Sequence, residues 1–236
     1  VYKRQVWKML LVMTVGFTLL PVPVSLDIRG WTEMHPLNGP AWSLFFEYIA
    51  NILYAVLIRK FTSRWLAVLV FLAACALIHQ CYTQGNNIGG WTLDVEQCRV
   101  GLTRLMFPFF GGLLLFRLCK PGRVRHGFWW CSLLLVGALA MPHVGGAENF
   151  RLNGLYDAFC IIVIFPAVVF LGASDIPGDI SSRASRFLGN ISYPLYITHY
   201  PIVYLYLAWV HDAEVPFSRA LPAVSYTHLT LPTILR

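Results

Sequence analysis

Seven long apolar segments recur along the chain, separated by short polar stretches. They cover approximately residues 6–24, 41–60, 64–80, 100–118, 127–143, 154–173 and 192–210. A helix of about 20 apolar residues crosses a hydrocarbon core of about 30 Å, and only the third and fifth segments are short by that measure. The alternating polarity of a membrane β-barrel is absent. The pattern therefore predicts an all-α polytopic membrane protein with seven transmembrane helices.

The charged residues between these segments alternate in sign along the chain. The basic loops carry Arg59, Lys60, Arg64, Arg117, Lys120, Arg123, Arg125, Arg183 and Arg186. The other loops carry Asp27, Glu33, Asp94, Glu96, Glu148, Asp212 and Glu214. Seven spans put every basic loop on one side, which the positive-inside rule makes cytoplasmic. We therefore expect a multi-pass protein of the inner (plasma) membrane.

The composition is typical of a membrane protein and argues against a nucleic-acid-binding protein. Hydrophobic residues make up 57% of the chain and charged residues 12%, about half the charge of a soluble domain. The net charge of +7 sits in short loops, where topology explains it, so we expect no nucleic-acid partner. The six cysteines lack metal-ligand spacing, and we expect no metal. Cys81 and Cys98 share one predicted outer loop, and whether they form a disulfide stays open.

The two ends of the chain resemble translated sequencing-adaptor DNA. Residues 1–5 (VYKRQ) and 224–228 (VSYTH) can be encoded by reverse-complementary strands. We therefore expect residues 1–5 and 224–236 to be adaptor-derived and assign residues 6–223 to a single membrane domain.

The first informative stretch opens the second span. Asn38-Gly39-Pro40 predicts a helix start, since proline suits the first turn. Ser43, Glu47 and Asn51 follow at intervals of four and share one helix face. Glu47 would lie roughly 10 Å below the outer surface, where an unpaired carboxylate is costly and so marks a functional candidate. The alternative, a glutamate that only bonds a neighbouring helix, stays open.

The second informative stretch, residues 188–201, opens the last span. Asn190 or Ser192 is predicted to cap that helix, with Pro194 in its first turn.

Further along the same stretch, Pro201 cannot donate a hydrogen bond to the carbonyl of Ile197, which predicts a kink beside His199. Tyr196, His199 and Tyr200 share a face by spacing. An intramembrane histidine can relay a proton or position a hydroxyl group, or it can simply bond another helix.

Two further charges, Arg104 and Asp157, fall inside predicted spans. Two interpretations remain: with Glu47 they form an outward-opening polar pocket, or they pair as a structural ion bridge.

The two stretches together resemble a known family. Residues 38–47 are similar to the signature Asn-Gly-Pro-x-Trp-Ser-Leu-x-x-Glu of membrane acyltransferase family 3, the O-acetylases of surface carbohydrates. Residues 189–201 resemble that family's late signature Gly-x-x-Ser-Tyr-x-x-Tyr-x-x-His-x-Pro. The order of the two and the spans between them also match.

The resemblance implies about ten spans and the transfer of an acyl group, usually acetyl from cytoplasmic acetyl-CoA, to a sugar hydroxyl. Three spans and the principal catalytic base would then precede this chain, and we expect the fragment to be inactive alone. The implied partners are acyl-CoA as donor substrate, a carbohydrate or glycolipid acceptor and the lipid bilayer, with no bound cofactor.

The resemblance and the spacing together select ten residues. The catalytic candidates are Glu47 and His199. The candidates for substrate binding are Asn38, Trp42, Ser43, Asn51, Arg104, Ser192, Tyr193 and Tyr196. A transporter or flippase for glycans or lipids would explain the same polar intramembrane residues, and substrate-dependent release of free coenzyme A separates the two functions.

Overall fold

The computed structural model describes residues 2–28, 30, 32–141, 145–146, 148–176 and 178–212. The predicted C-terminal adaptor segment 224–236 lies outside the described residues. The helices are α1 Tyr2–Phe17, α2 Ala41–Val56, α3 Ser63–Gln84, α4 Val95–Leu118, α5 Gly127–Ala140, α6 Phe150–Phe159, α7 Phe165–Ala173 and α8 Asp179–Asp212. A π-helical turn, Cys160–Ile164, joins α6 to α7, and 3₁₀ turns cover Val24–Leu26 and Ile58–Lys60. The all-α class is confirmed for the described residues, apart from one two-residue strand pair.

Three of the described helices are long and apolar enough to cross a membrane. They are Ser63–Gln84, Val95–Leu118 and the continuous rod Phe150–Ala173. Val6–Phe17, Ala41–Val56 and Gly127–Ala140 are shorter apolar helices. Every predicted apolar segment overlaps a helix, and the lengths differ from those predicted.

Turn chemistry explains two of the length differences. α1 ends at Phe17 and not near residue 24, because Leu19 has a left-handed φ of 59°, which a right-handed helix cannot include. α3 extends past residue 80 to Gln84, because polar residues continue a helix until a residue stops it. Gly85 stops it with a left-handed φ of 74°, a conformation that glycine adopts without strain. The buried Cys81 is therefore in a helix and not in the outer loop predicted for it, and both Cys81 and Cys98 are free thiols.

The predicted start of the last helix is wrong. α8 begins at Asp179, so Asn190, Ser192 and Pro194 lie inside it and cap nothing. A helix can continue through a proline where water replaces the lost backbone hydrogen bond. Pro194 has no N–H to donate to the carbonyl of Asn190, and Asn190 is exposed, so water can reach that carbonyl. Asp179 at the new start is an acidic residue in the first turn, which the helix dipole favours.

The chain divides into two compact units. One contains residues 1–41 and 190–236, and the other residues 42–189. In the second unit, α3 packs against α4 and α6. Its apolar core includes Leu66, Leu77, Phe107, Phe110 and Ala158.

A small parallel ribbon ties two loops of the second unit together. β1 (Val124–Arg125) follows α4, and β2 (Asp175–Ile176) follows α7. The Val124 N–H donates to the Ser174 carbonyl at 2.8 Å, and the Gly122 N–H donates to the Ser174 hydroxyl at 2.9 Å. The Asp175 carboxylate accepts from the N–H of Gly127, the first residue of α5, at 2.7 Å. The ribbon joins two loops that the charge pattern assigns to the same membrane side.

Candidate functional site

Trp42 and Arg104 meet in the unit formed by residues 42–189. The Arg104 guanidinium carbon lies 4.7 Å from the centroid of the Trp42 ring, a cation–π distance. Arg104 also donates a hydrogen bond to the carbonyl of Gly89. Both side chains are half-buried. The structure thus brings together two residues selected for substrate binding from separate spans.

Glycines in the α3–α4 loop make this approach possible. Gly89 and Gly90 have φ values of 130° and 103°, which residues with a side chain rarely adopt. A Cβ on Gly90 would lie 2.9 Å from both the Trp42 ring and the Gly101 Cα. The Gly90 N–H donates to Gln97 Oε1 at 2.6 Å. The loop backbone therefore forms one wall beside the Trp42 ring.

Asp157 binds the same loop from α6. Its carboxylate accepts from the Asn87 N–H at 3.1 Å. The fully buried Gln80 donates to Asn87 Oδ1 at 3.4 Å, and its own Oε1 has no partner among the described residues. Arg104 and Asp157 both lie within electrostatic range of the Cys81 sulfur. Each of the two charges therefore holds the backbone of the α3–α4 loop.

Ser43, Glu47 and Asn51 lie on one face of α2, as their spacing predicts. Asn51 Nδ2 donates to the Glu47 carbonyl at 2.9 Å. Glu47 and Asn51 are exposed, and Ser43 is half-buried. The Glu47 carboxylate makes no hydrogen bond or ion pair with any residue that the structure describes. The Glu47 side chain is therefore exposed on α2 and is not buried against another helix.

The beginning of the first signature stretch, residues 38–40, contacts the second stretch in the unit formed by residues 1–41 and 190–236. The Asn38 side-chain amide donates to the Ile197 carbonyl at 3.0 Å. The Tyr196 hydroxyl donates to the Pro40 carbonyl at 2.9 Å. Pro201 removes the helical donor from Ile197, as the sequence predicts, and the structure shows which side chain replaces that donor.

His199 lies in the same turn of α8 and is half-buried. Its Nδ1 is 2.8 Å from the Tyr196 carbonyl and 3.0 Å from the Leu195 carbonyl. Carbonyl oxygens only accept, so Nδ1 must carry the proton, and in the neutral ring Nε2 has the lone pair. The rings of Tyr196 and Tyr200 flank the imidazole at 5.9 and 5.6 Å between centroids. His199 is thus held as a proton acceptor at Nε2.

Ser192 and Tyr193 do not contact His199 directly. Both are exposed along α8, with 60% of Tyr193 accessible. Asn38 and Tyr196 each donate a hydrogen bond to a backbone carbonyl, of Ile197 and Pro40 respectively.

A separate apolar groove of about 640 Å³ lies between α3 and α4. Leu69, Leu72, Ala76, Leu102 and Met106 are among its lining residues, and none of the ten selected residues lines it. Its rim includes Asp94, which caps α4. The Thr92 hydroxyl and the Gln97 N–H donate to this carboxylate and hold the pKa of Asp94 below its ordinary value.

The polar residues around the α3–α4 loop were not selected from sequence. Gln80, Asn87 and Gln97 each hold the loop through side-chain amides. The sequence contains two signals for this loop. They are two glutamines near the ends of predicted spans and the polar, glycine-rich run Gly85-Asn86-Asn87-Ile88-Gly89-Gly90. Among the described residues, no group of three or more His, Cys, Asp or Glu side chains is placed to hold a metal ion.

Comparison with known proteins gives one match. The model of a protein family described as an acyltransferase domain matches residues 2–235. No curated protein and no solved structure matches the chain. Because the family model covers nearly the whole chain, the chain belongs to membrane acyltransferase family 3, and its three long apolar helices agree with a membrane protein.

Proposed function

We propose that this protein is a membrane-bound O-acyltransferase of the inner membrane. It moves an acyl group, acetyl in the simplest case, from a cytoplasmic acyl-CoA to a hydroxyl of a cell-surface or exported carbohydrate. Membership of an acyltransferase family supports the reaction class. The observation that carries the site assignment is the lone pair on His199 Nε2, fixed by the contacts of Nδ1 with two carbonyls.

His199 supplies a proton acceptor for the reaction. Acyl transfer to a hydroxyl requires a base within hydrogen-bonding distance of the proton that leaves. Nε2 of His199 has no partner among the described residues. We assign His199 a supporting or positioning role toward the acceptor hydroxyl.

The parallel ribbon supports the donor side of the proposal. Lys120, Arg123 and Arg125 are exposed on or next to β1, and Arg183 and Arg186 are exposed in the first turns of α8, which begins just after β2. Guanidinium and ammonium groups bind phosphate oxygens through charge-assisted hydrogen bonds. These residues provide the chemistry needed for the phosphates of coenzyme A.

Trp42, Arg104 and Glu47 support the acceptor side. An aromatic face with a few fixed polar groups is the usual composition of a small-molecule site. Trp42 and Arg104 supply that face and a cation, and Glu47 supplies an exposed acceptor oxygen. We assign Trp42, Arg104, Ser43 and Glu47 to acceptor handling.

The test measures transfer and coenzyme A release together. Membrane vesicles containing the intact protein, as its gene encodes it, receive labelled acetyl-CoA and a carbohydrate acceptor. We expect acceptor-dependent release of free coenzyme A and label on the carbohydrate. His199→Gln should lower the rate by roughly 10²-fold or more, the contribution of a positioned acid or base.

The matched control is His79→Gln, which should keep the wild-type rate. His79 is exposed on α3, and its imidazole makes no hydrogen bond with the residues that the structure describes, since the Thr83 hydroxyl binds its backbone carbonyl. Equal rates in the two variants contradict the His199 assignment. Movement of glycan without any release of coenzyme A contradicts the acyltransferase proposal and supports a carrier. Full transfer by Glu47→Gln contradicts the role given to Glu47.

A further inference from the structure

The turn of α8 that holds His199 has a broken backbone. Pro201 has no N–H, so the Ile197 carbonyl loses the donor that would lie four residues later in the helix. Ile197 is half-buried and Tyr200 is buried, so this carbonyl has restricted access to water. A buried backbone oxygen without a donor is costly, and the turn needs a donor from another part of the chain.

Asn38 supplies that donor from 159 residues away. Its Nδ2 lies 3.0 Å from the Ile197 oxygen. The Asn38 backbone is itself fixed, because its N–H donates to the His35 carbonyl at 3.1 Å and its carbonyl accepts from the Ala41 N–H at 2.9 Å. The amide therefore projects from a closed turn at a defined point on α8.

A second contact holds the same turn. The Tyr196 hydroxyl donates to the Pro40 carbonyl at 2.9 Å. Gly39, between Asn38 and Pro40, is buried against two aromatic side chains of α8. A Cβ on Gly39 would lie 2.9 Å from Tyr200 Cε1 and 3.0 Å from the Tyr204 hydroxyl. Only glycine permits this approach of loop and helix without a shift of either tyrosine.

His199 depends on the turn that these contacts hold. Its Nδ1 contacts the carbonyls of Leu195 and Tyr196, and Ile197, which Asn38 binds, is the next residue. The direction of Nε2 is therefore set by backbone atoms whose geometry the 38–40 segment stabilises.

We propose that residues Asn38, Gly39 and Pro40 form a clamp on the proline-interrupted turn of α8, and that this clamp fixes the Nδ1–H tautomer of His199 and the direction of its Nε2. Asn38 and Tyr196 are positioning residues that act through this clamp rather than through contact with the acceptor. The catalytic consequence rests on the proposed function, whereas the effect on the His199 tautomer does not.

The experiment uses the chemical relation between Asn38 and Pro201. Asn38→Leu keeps the side-chain size and removes the donor. Pro201→Ala restores a backbone N–H four residues after Ile197, which can then donate to the Ile197 carbonyl in place of Asn38. The two changes are made singly and together in the intact protein, and kcat and KM are measured for donor and acceptor.

We expect Asn38→Leu to lower kcat roughly tenfold, the scale of one lost hydrogen bond to a buried acceptor, with both KM values within about twofold. In the Pro201→Ala background, the same Asn38→Leu change should lower kcat by less than about threefold. Tyr196→Phe removes a different hydrogen bond, so Pro201→Ala should not suppress its defect. Asn190→Leu, an exposed asparagine on the same helix, is the matched control and should keep the wild-type kcat.

An activity-independent measurement separates this proposal from the proposed function. ¹⁵N NMR of histidine-labelled protein, assigned by difference from His199→Gln, reports which ring nitrogen carries the proton. The wild-type His199 signal should be that of the Nδ1–H tautomer. Asn38→Leu should add the Nε2–H tautomer, and the double variant should recover the wild-type signal, while Asn190→Leu leaves it unchanged.

Two results overturn the clamp. One is a His199 tautomer that does not respond to Asn38→Leu. The other is a raised acceptor KM in Asn38→Leu that persists with Pro201→Ala, which would place Asn38 against the acceptor. A protein that shows the expected tautomers without any acyl transfer supports the clamp and contradicts the proposed function.

Discussion

The contact between Asp175 and the start of α5 gives the sharpest stability prediction. Asp175 Oδ1 accepts from the Gly127 N–H at 2.7 Å, and Gly127 is buried. The first N–H groups of a helix have no partner inside it. A Cβ on Gly127 would lie 2.8 Å from the Asp175 Cβ, so the carboxylate sits directly on the helix end. Replacing Asp175 by alanine therefore leaves a buried donor without its acceptor.

The expected magnitudes differ between two substitutions. Asp175→Ala should cost about 1–3 kcal/mol, the penalty for an orphaned buried donor. Asp175→Asn keeps an acceptor oxygen and loses only the charge at the positive helix end, which is worth about 0.3–1 kcal/mol. For a chain of this size, about 1 kcal/mol shifts Tm by about 2–4 °C. We therefore expect Asp175→Ala to lower Tm by about 2–12 °C and Asp175→Asn by about 1–4 °C, with the alanine variant always the less stable of the two.

Tryptophan fluorescence during heating in detergent measures these shifts. Trp129 and Trp130 lie in the first turn of α5 and should report its loss directly. Asp179→Ala, which removes an exposed carboxylate a few residues later in the chain, is the control and should change Tm by less than Asp175→Ala. Equal losses for the alanine and asparagine variants of Asp175 would show that the acceptor oxygen does not stabilise the helix start.

Three further changes test other parts of the molecule. Burial lowers the pKa of His35 from 6.5, against a smaller raising effect of the Leu19 carbonyl, so the unfolded state binds more protons below pH 6.5. Stability should therefore fall as pH drops below about 6.5, and His35→Gln should make Tm less dependent on pH in that range. A variant whose Tm depends on pH as the wild type's does would contradict the role given to His35. Gly39→Ala should lower Tm, because the added methyl would lie 2.9 Å from Tyr200 Cε1 and 3.0 Å from the Tyr204 hydroxyl, so that a tyrosine ring must shift. Gly137→Ala, where nothing lies within 4 Å, should be neutral or stabilising. Trp42→Leu and Arg104→Lys should show a coupling of about 0.5–2 kcal/mol in a double-mutant cycle of unfolding, and simple additivity contradicts the contact at 4.7 Å.

Helix positions follow from sequence where apolar runs decide them. A continuous apolar run of span length has few alternatives to a helix in lipid, and each predicted segment overlaps one. Helix ends follow from single residues instead. Gly85 ends α3 four residues beyond the apolar run, and α8 begins at Asp179, well before the apolar run that predicted it. Hydrophobicity cannot locate such ends, because the residues that set them are polar or small.

The shared face of candidate residues was predictable where their spacing lies within one helix. Ser43, Glu47 and Asn51 share a face of α2, and the missing donor at Ile197 follows from Pro201 alone. The partner of Ile197 did not follow, because any donor brought close by folding would satisfy the carbonyl equally well. The same holds for Asp157, whose bond to the Asn87 N–H spans 70 residues and depends on how α6 packs against α3.

Two prolines in α8 show why one break in the helix needs a partner and the other does not. Pro194 leaves the carbonyl of Asn190 without its helical donor, and Asn190 is exposed, so water can replace that donor. Pro201 leaves the carbonyl of Ile197, which is half-buried and receives the Asn38 amide. Burial therefore decides whether a helix proline demands a side chain elsewhere in the chain. It follows that Asn38 and Pro201 are chemically coupled: removing the proline removes the need for the asparagine, and residues 38–40 and 196–201 act as one structural feature around His199.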